Sequence, residues 1–182
     1  MENKLLKELY DYFYVRPELD EQENEVEECH KALIAALLHL KKESIHDVAI
    51  TNPIELGAAI SDKDFILDIR VNLNNEQLID LEMQMSNEYN WSERSISYAA
   101  RSFDQLNSGE EYKEVLPVHS IGFLNFTLFE DQPEFFATYE LRNKKTGHLY
   151  SSKFSIHVLD LTRIDLATAE DQNYEIDRWA KL

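Results

Sequence analysis

The chain predicts a mixed α/β (α+β) fold, a sheet flanked by helices, and three features of its pattern point there. Apolar residues recur at helical spacing as far as Lys42, then at a spacing of two from Ile45 onward. Turn-forming residues separate the alternating runs. The resulting order is helices, strands, helix, strands, helix, which buries its apolar faces as a layered sandwich. Residues 1–44 are expected to form a helical, acidic head and residues 45–182 the sheet-bearing domain.

Leu5, Leu6, Leu9, Tyr10 and Phe13 mark a short amphipathic helix, interrupted at Arg16-Pro17 because proline disfavours helix in the residue before it. A second helix is expected from about Glu23 to Lys42, carrying Val26, Ala32, Leu33, Ala36, Leu37 and Leu40. The first strand covers about Ile45–Thr51 and is closed by Asn52-Pro53, and a loop through Glu55–Ser61 follows. In the next run Phe65, Leu67, Ile69 and Val71 alternate with Ile66, Asp68, Arg70 and Asn72. In the one after it Ile79, Leu81, Met83 and Met85 alternate with Asp80, Glu82 and Gln84. Asn74-Asn75-Glu76 between them is turn chemistry, so the two runs form an antiparallel hairpin. A helix from Trp91 to Asn107 ends at Ser108-Gly109, and Val115–Phe129 supplies a mostly apolar strand. Phe135–Arg142 and Tyr150–Leu159 flank Lys144-Lys145-Thr146-Gly147 as a second hairpin. A last helix starts near Glu170.

Composition narrows the function classes. No run approaches the about 18–20 apolar residues of a membrane span, and the charged, amphipathic opening MENKLLKELYDYF is not expected to be a signal segment. A lone Cys29 leaves no intrachain disulfide and no zinc cluster, so a cytoplasmic location is expected. The six histidines are scattered, and no glycine-rich phosphate loop exists. The net charge is −17, and Glu18–Glu28 holds seven carboxylates without a base. Nucleic-acid binders draw most of their affinity from basic faces, so the acidity also fits a mimic of a nucleic-acid backbone or a solvated arm.

The first hairpin carries the chemistry. A turn centred on Asn75 sets Leu73 opposite Gln77, Arg70 opposite Asp80, Asp68 opposite Glu82 and Ile66 opposite Gln84. Leu67 then meets Met83, and Ile69 meets Leu81, on the apolar face. A slip of one residue would carry the polar set into the core. Directly opposed Cβ atoms stand about 4.5–5.5 Å apart, and two carboxylates so placed repel unless a cation lies between them. Magnesium suits such a pair, with the Met83 carbonyl as a further ligand. Gln84 is no base, but its amide can orient a water or a phosphate oxygen. On an exposed hairpin face the same two carboxylates would simply be solvated.

The segment Asp64-Phe-Ile-Leu-Asp68-Ile-Arg70, followed by Asp80-Leu-Glu82-Met-Gln84, resembles the Rpn-type recombination-promoting nuclease/transposase family of the PD-(D/E)XK superfamily. In that family an aspartate ends one strand and the next carries E-x-Q in place of E-x-K. Trp91-Ser-Glu-Arg94-Ser-Ile-Ser-Tyr98, Gln105-Leu-Asn-Ser-Gly109-Glu-Glu-Tyr112, Ile121–Phe129 and Asp177-Arg-Trp179 are similar to the family's later segments and keep their order. The resemblance implies a restriction-endonuclease-like core over residues 45–182 and cleavage of DNA with Mg2+ or Mn2+. Asp68 and Glu82 would be metal ligands, joined by the Met83 carbonyl, and Gln84 would take the usual lysine position. Arg94 and Tyr98, one helical turn apart, would face the cleft and contact DNA, or else stand as a surface arginine and a half-buried tyrosine; Lys144 and Lys145 would touch a DNA backbone or be a solvated turn, and a homo-oligomer is compatible with the resemblance.

Against the family pattern the chain is expected to be shortened at both ends, with an atypical head. The segment resembling D-x-V-F-K-x-x-F is missing, and Glu25 or Glu28 would have to replace its first-helix acid. These departures and the charge carry an alternative expectation. In it the chain is an inactive, acidic derivative that inhibits a basic nucleic-acid-binding protein such as a CRISPR effector or a restriction enzyme.

Overall fold

The computed structural model describes residues 23–53, 66–106 and 108–181. The expected helix at Leu5–Phe13 and the loop at Glu55–Ser61 lie outside them. So do most of the acidic run and the Asn107 end of the central helix. Side chains of residues 23–27, 50–53 and 66–68 are likewise outside the description.

Helix α1 (Glu23–Leu37) buries Leu33, Ile34 and Leu37. It stops earlier than the expected Lys42. His39 enters the left-handed region with φ +53°, and Leu40 N–H donates to the Ala35 carbonyl at 2.8 Å. That bond is the six-to-one closure of a Schellman end, and it spends a carbonyl that further helix would need. Strands β1 (Val48–Pro53), β2 (Ile66–Leu73) and β3 (Gln77–Gln84) follow. Helix α2 (Trp91–Phe103) crosses to β4 (Val118–Leu124), and the hairpin β5 (Phe136–Glu140) and β6 (Phe154–Asp160) completes the sheet. The expected last helix is two short ones, α3 (Ala169–Asn173) and α4 (Ile176–Trp179). Glu175, at φ +62°, divides them.

The six strands run in the order β1-β2-β3-β4-β6-β5. β1, β2 and β3 pair antiparallel, β3, β4 and β6 parallel, and β5 antiparallel to β6. One rung reads Asp68, Glu82, Gly122, Val158, Ala137 across five strands, so these positions share a face. α2 covers that face, with Trp91 and Ala99 packed among Val118, Leu124, Ile156 and Val158. The opposite face sends Ile69, Val71, Ile79, Leu81, Met83, Ile121 and Phe123 against α1 and Ile176 of α4. β3 is therefore central and covered on both sides, unlike a hairpin with one wet face. Among the described residues no helix is long and apolar enough to cross a membrane.

Candidate functional site

The β2–β3 hairpin adopts the register that its alternation requires. Leu73 pairs with Gln77, Arg70 with Asp80, Asp68 with Glu82, and Ile66 with Gln84. The turn accommodates this because Asn74 and Asn75 take left-handed φ values of +54° and +55°, a region that asparagine tolerates. Asn74 also clamps the preceding segment. Its Oδ1 accepts from His46 N–H at 2.8 Å and Asp47 N–H at 3.0 Å, and its Nδ2 donates to the Ser44 carbonyl at 2.9 Å.

One polar pair on this face is fully built. Arg70 Nε donates to Asp80 Oδ1 at 2.8 Å, and Arg70 Nη2 donates to Ser102 Oγ at 2.6 Å. The Ser102 hydroxyl in turn donates to Asp80 Oδ2, tying the C-terminal turn of α2 to both strands.

Two residues farther along β3, the polar set is buried. Glu82 is 5% exposed and Gln84 4%, because α2 lies over them instead of solvent. Burial on this scale removes the alternative in which Glu82 is simply solvated, since a buried carboxylate has to be compensated by a partner or an ion. Arg94 of α2 stands beside it, Nε to Glu82 Oε1 2.6 Å, a charge contact rather than an aligned hydrogen bond. The Arg94 guanidinium also lies 5.3 Å from the centre of the Tyr98 ring, which Arg101 approaches at 5.8 Å. Gln84 Oε1 is buried without a hydrogen-bond partner among the described residues. An orphaned buried amide oxygen next to a buried carboxylate is a donor set of oxygens, the kind a hard divalent cation takes. Among the described residues no three His, Cys, Asp or Glu side chains gather to hold a metal. Magnesium needs only one or two carboxylates, with water and substrate phosphate for the rest, so the residues present fit it. The Met83 side chain is buried on the opposite face, which leaves its backbone carbonyl as the only group it could offer.

α2 can lie this close because position 122 has no side chain. A Cβ there would stand 2.0 Å from Trp91 Cζ2, so the indole occupies the space directly beside the Glu82 rung.

Other expected site residues lie elsewhere. Lys144 and Lys145 sit in the exposed β5–β6 turn, beyond the ends of the parallel strands opposite to Gln84. Glu28 is held by Lys42 at 2.8 Å and Lys31 at 3.5 Å, which keep its carboxyl below its usual range. It belongs to α1, on the face away from Glu82, and Cys29 beside it is a free thiol, partly buried.

The histidines that look scattered along the chain are partly gathered by the sheet. His119 Nδ1 meets Ser155 Oγ at 2.7 Å, Ser155 Oγ meets His157 Nε2 at 2.8 Å, and Thr138 Oγ1 meets His157 Nδ1 at 3.1 Å. Burial, and then the neighbouring His119 and His39, push His157 down to about 3. Burial lowers His119 as well. This chain of contacts lies on the face opposite Glu82, and only parallel pairing of β4 with β6 creates it.

No curated protein and no solved structure matches the chain. The model of the PD-(D/E)XK nuclease family transposase matches residues 21–182, which takes in α1 and every strand and helix described above. A mixed sheet with flanking helices, an aspartate opposite the glutamate of E-x-Q, and a match over most of the chain agree: the protein belongs to the PD-(D/E)XK nuclease family transposases.

Proposed function

We propose that the chain is a metal-dependent DNA endonuclease of the mobile-element type, with Asp68, Glu82 and Gln84 as its working site. The observation that carries this reading is the β2–β3 ladder, in which Asp68 stands opposite Glu82 on the face that α2 covers. Asp68 and Glu82 would hold Mg2+ or Mn2+, with the Met83 carbonyl as a third ligand. Such an ion lowers the pKa of bound water and offsets charge on a scissile phosphate. Gln84, whose buried Oε1 lacks a partner among the described residues, would orient a water or phosphate oxygen through its amide. Arg94 and Tyr98 would meet the DNA backbone next to the site, and Lys144 and Lys145 would touch it farther away.

The test is nicking of supercoiled plasmid by purified protein with Mg2+ or Mn2+. Cleavage by the wild type that D68A and E82A abolish supports the reading, and a clean preparation that never cuts with either ion defeats it.

The net charge of −17 favours a second reading, in which the chain binds and inhibits a basic nucleic-acid-binding protein. Binding to such a partner would weaken with salt and survive D68A. Loss of the biological effect in a folded D68A variant would rule it out.

A further inference from the structure

On the side of α2 that faces β6 lies an apolar groove. Ile96, Leu128, Phe129, Tyr139, Ile156 and Val158 enclose about 170 Å3 of it beside Trp91. A cavity of about 150 Å3 lined by apolar side chains holds one aromatic ring. Phe129 and Tyr139 stand edge to face at its mouth, with centroids 6.3 Å apart and each residue 39% exposed. Past these two rings the groove narrows beside Glu134, Ala137 and Asp160 to about 10 Å3, the room of about one water. Asp160 is 2% exposed. Its Oδ1 accepts from Thr162 N–H at 2.8 Å and from the Thr162 hydroxyl at 2.6 Å. Its Oδ2 is buried with no hydrogen-bond partner among the described residues. A buried acceptor without a donor is costly, so the neck suits an N–H group. Among the described residues no lysine, arginine or histidine lines the groove, which disfavours a phosphate there.

We propose that the groove is a subsite for one unstacked cytosine of a DNA strand, an inference that rests on reading the chain as a DNA-cutting enzyme. The ring lies in the wider part against Phe129, Tyr139 and the aliphatic walls, as extruded bases lie against aromatic and apolar side chains. The exocyclic amino group enters the neck and donates to Asp160 Oδ2, the pairing by which carboxylates read cytosine. Position supports the assignment. Gln84, Leu124 and Asp160 share one rung across β3, β4 and β6, so Asp160 lies on the face that carries Glu82 and Gln84. Two strand spacings separate Asp160 from Gln84, about 10 Å, a span of about three stacked nucleotides along one strand. A strand with a phosphate at Gln84 can therefore place a neighbouring base in the groove. Extrusion costs least for a base that is already single-stranded, so single strands and frayed ends fit best.

The experiment measures binding of dye-labelled single-stranded octamers, oligodeoxycytidine and oligodeoxyuridine, to the full-length chain in EDTA by fluorescence polarisation. The two probes differ by one group per base, an amino group in cytosine and a carbonyl oxygen in uracil. Wild type is expected to prefer the cytidine octamer by about tenfold, the worth of one hydrogen bond to a charged acceptor. D160N is the decisive variant. Thr162 still donates to the amide oxygen, so the side-chain NH2 faces the neck and the acceptor there becomes a donor. The preference should then vanish or pass to the uridine octamer. A second measurement leaves Asp160 unchanged: in a W179F background the cytidine octamer should quench Trp91, which borders the groove. Equal binding of the two octamers by wild type, or a preference that a folded D160N variant keeps, overturns the proposal. If neither octamer binds while the protein nicks plasmid with Mg2+ or Mn2+, the subsite falls and the nuclease reading stands. Absence of both binding and nicking defeats the two together. A peptide of alternating leucine and lysine that quenches Trp91 when neither octamer does would mark a protein-docking groove and overturn the base reading.

Discussion

Gly122→Ala is the smallest change that tests how α2 is seated over the site. The added Cβ would stand 2.0, 2.6 and 2.9 Å from Cζ2, Cη2 and Cε2 of Trp91. Ordinary contact begins at 3.4 Å, so the indole has to retreat by about 1.4 Å along the closest approach, 3.4 less 2.0. It has little room to do so, because Trp91 is 2% exposed and packed among Leu124, Ile156 and Val158. Overpacking a core costs about 1–3 kcal/mol, and complete loss of a buried tryptophan's packing about 3–5 kcal/mol. The overlap is with a rigid ring rather than the end of a flexible chain, so we expect about 3 kcal/mol. For a chain of this size that lowers Tm by about 6–12 °C. Urea unfolding supplies the free energy. Emission from Trp91 in a W179F background should shift red as the indole leaves its seat, Trp179 being the chain's other tryptophan. Trp91→Phe combined with Gly122→Ala should cost at least about 1 kcal/mol less than the sum of the two changes, since a smaller ring relieves the overlap. Stability of G122A within about 0.5 kcal/mol of wild type, with unchanged emission, would refute the close approach of α2 to the Glu82 rung.

Three further outcomes follow from particular contacts. Ser102→Ala removes the hydroxyl between Arg70 and Asp80 and should cost about 1–2 kcal/mol in urea unfolding, while the β2–β3 amide protection survives. Asn74→Ala loses three hydrogen bonds and places alanine at positive φ, whereas Asn74→Gly loses only the bonds. Alanine should therefore be about 1 kcal/mol less stable than glycine there, and equal stabilities would show that the turn has another conformation. His157 is held neutral at about 3 in the fold against 6.5 unfolded, so acid favours the unfolded chain. Its contribution is complete above pH 6.5 and declines as pH falls toward 3. Between pH 6.5 and pH 5 the loss is about 2 kcal/mol, which a folded H157Q variant should not show in parallel chemical denaturations.

The hairpin was legible in the chain itself. Alternation of Leu67, Ile69 and Val71 with Asp68 and Arg70, repeated across a turn of asparagines, admits one register that keeps the apolar set together, and that register is the one found. The second hairpin was legible for the same reason, with Gly147 at φ +72° in its turn. Helix ends were less so. His39 ends α1 with no glycine or proline to announce it. The central helix stops at Phe103, short of the end expected at Ser108-Gly109. Local pattern records which face is apolar, but where a helix stops depends on which carbonyls find other donors.

The order of strands and the chemistry of the polar face belong to the tertiary structure. Strand alternation assigned Asp68, Glu82 and Gln84 to one face, and nothing local required that face to be covered. Long-range parallel pairing of β3, β4 and β6 placed β3 at the centre of the sheet and brought α2 down across it. Glycine at 122 let Trp91 approach, and the approach delivered Arg94 to Glu82 and Ser102 to Asp80. The same pairing gathered His119, Ser155 and His157 from separate strands. Side-chain alternation is a property of the neighbouring backbone and can be read residue by residue. Burial of a charge depends on what other segments of the chain place above it, so the sequence by itself identified the carboxylates and the fold decided what compensates them.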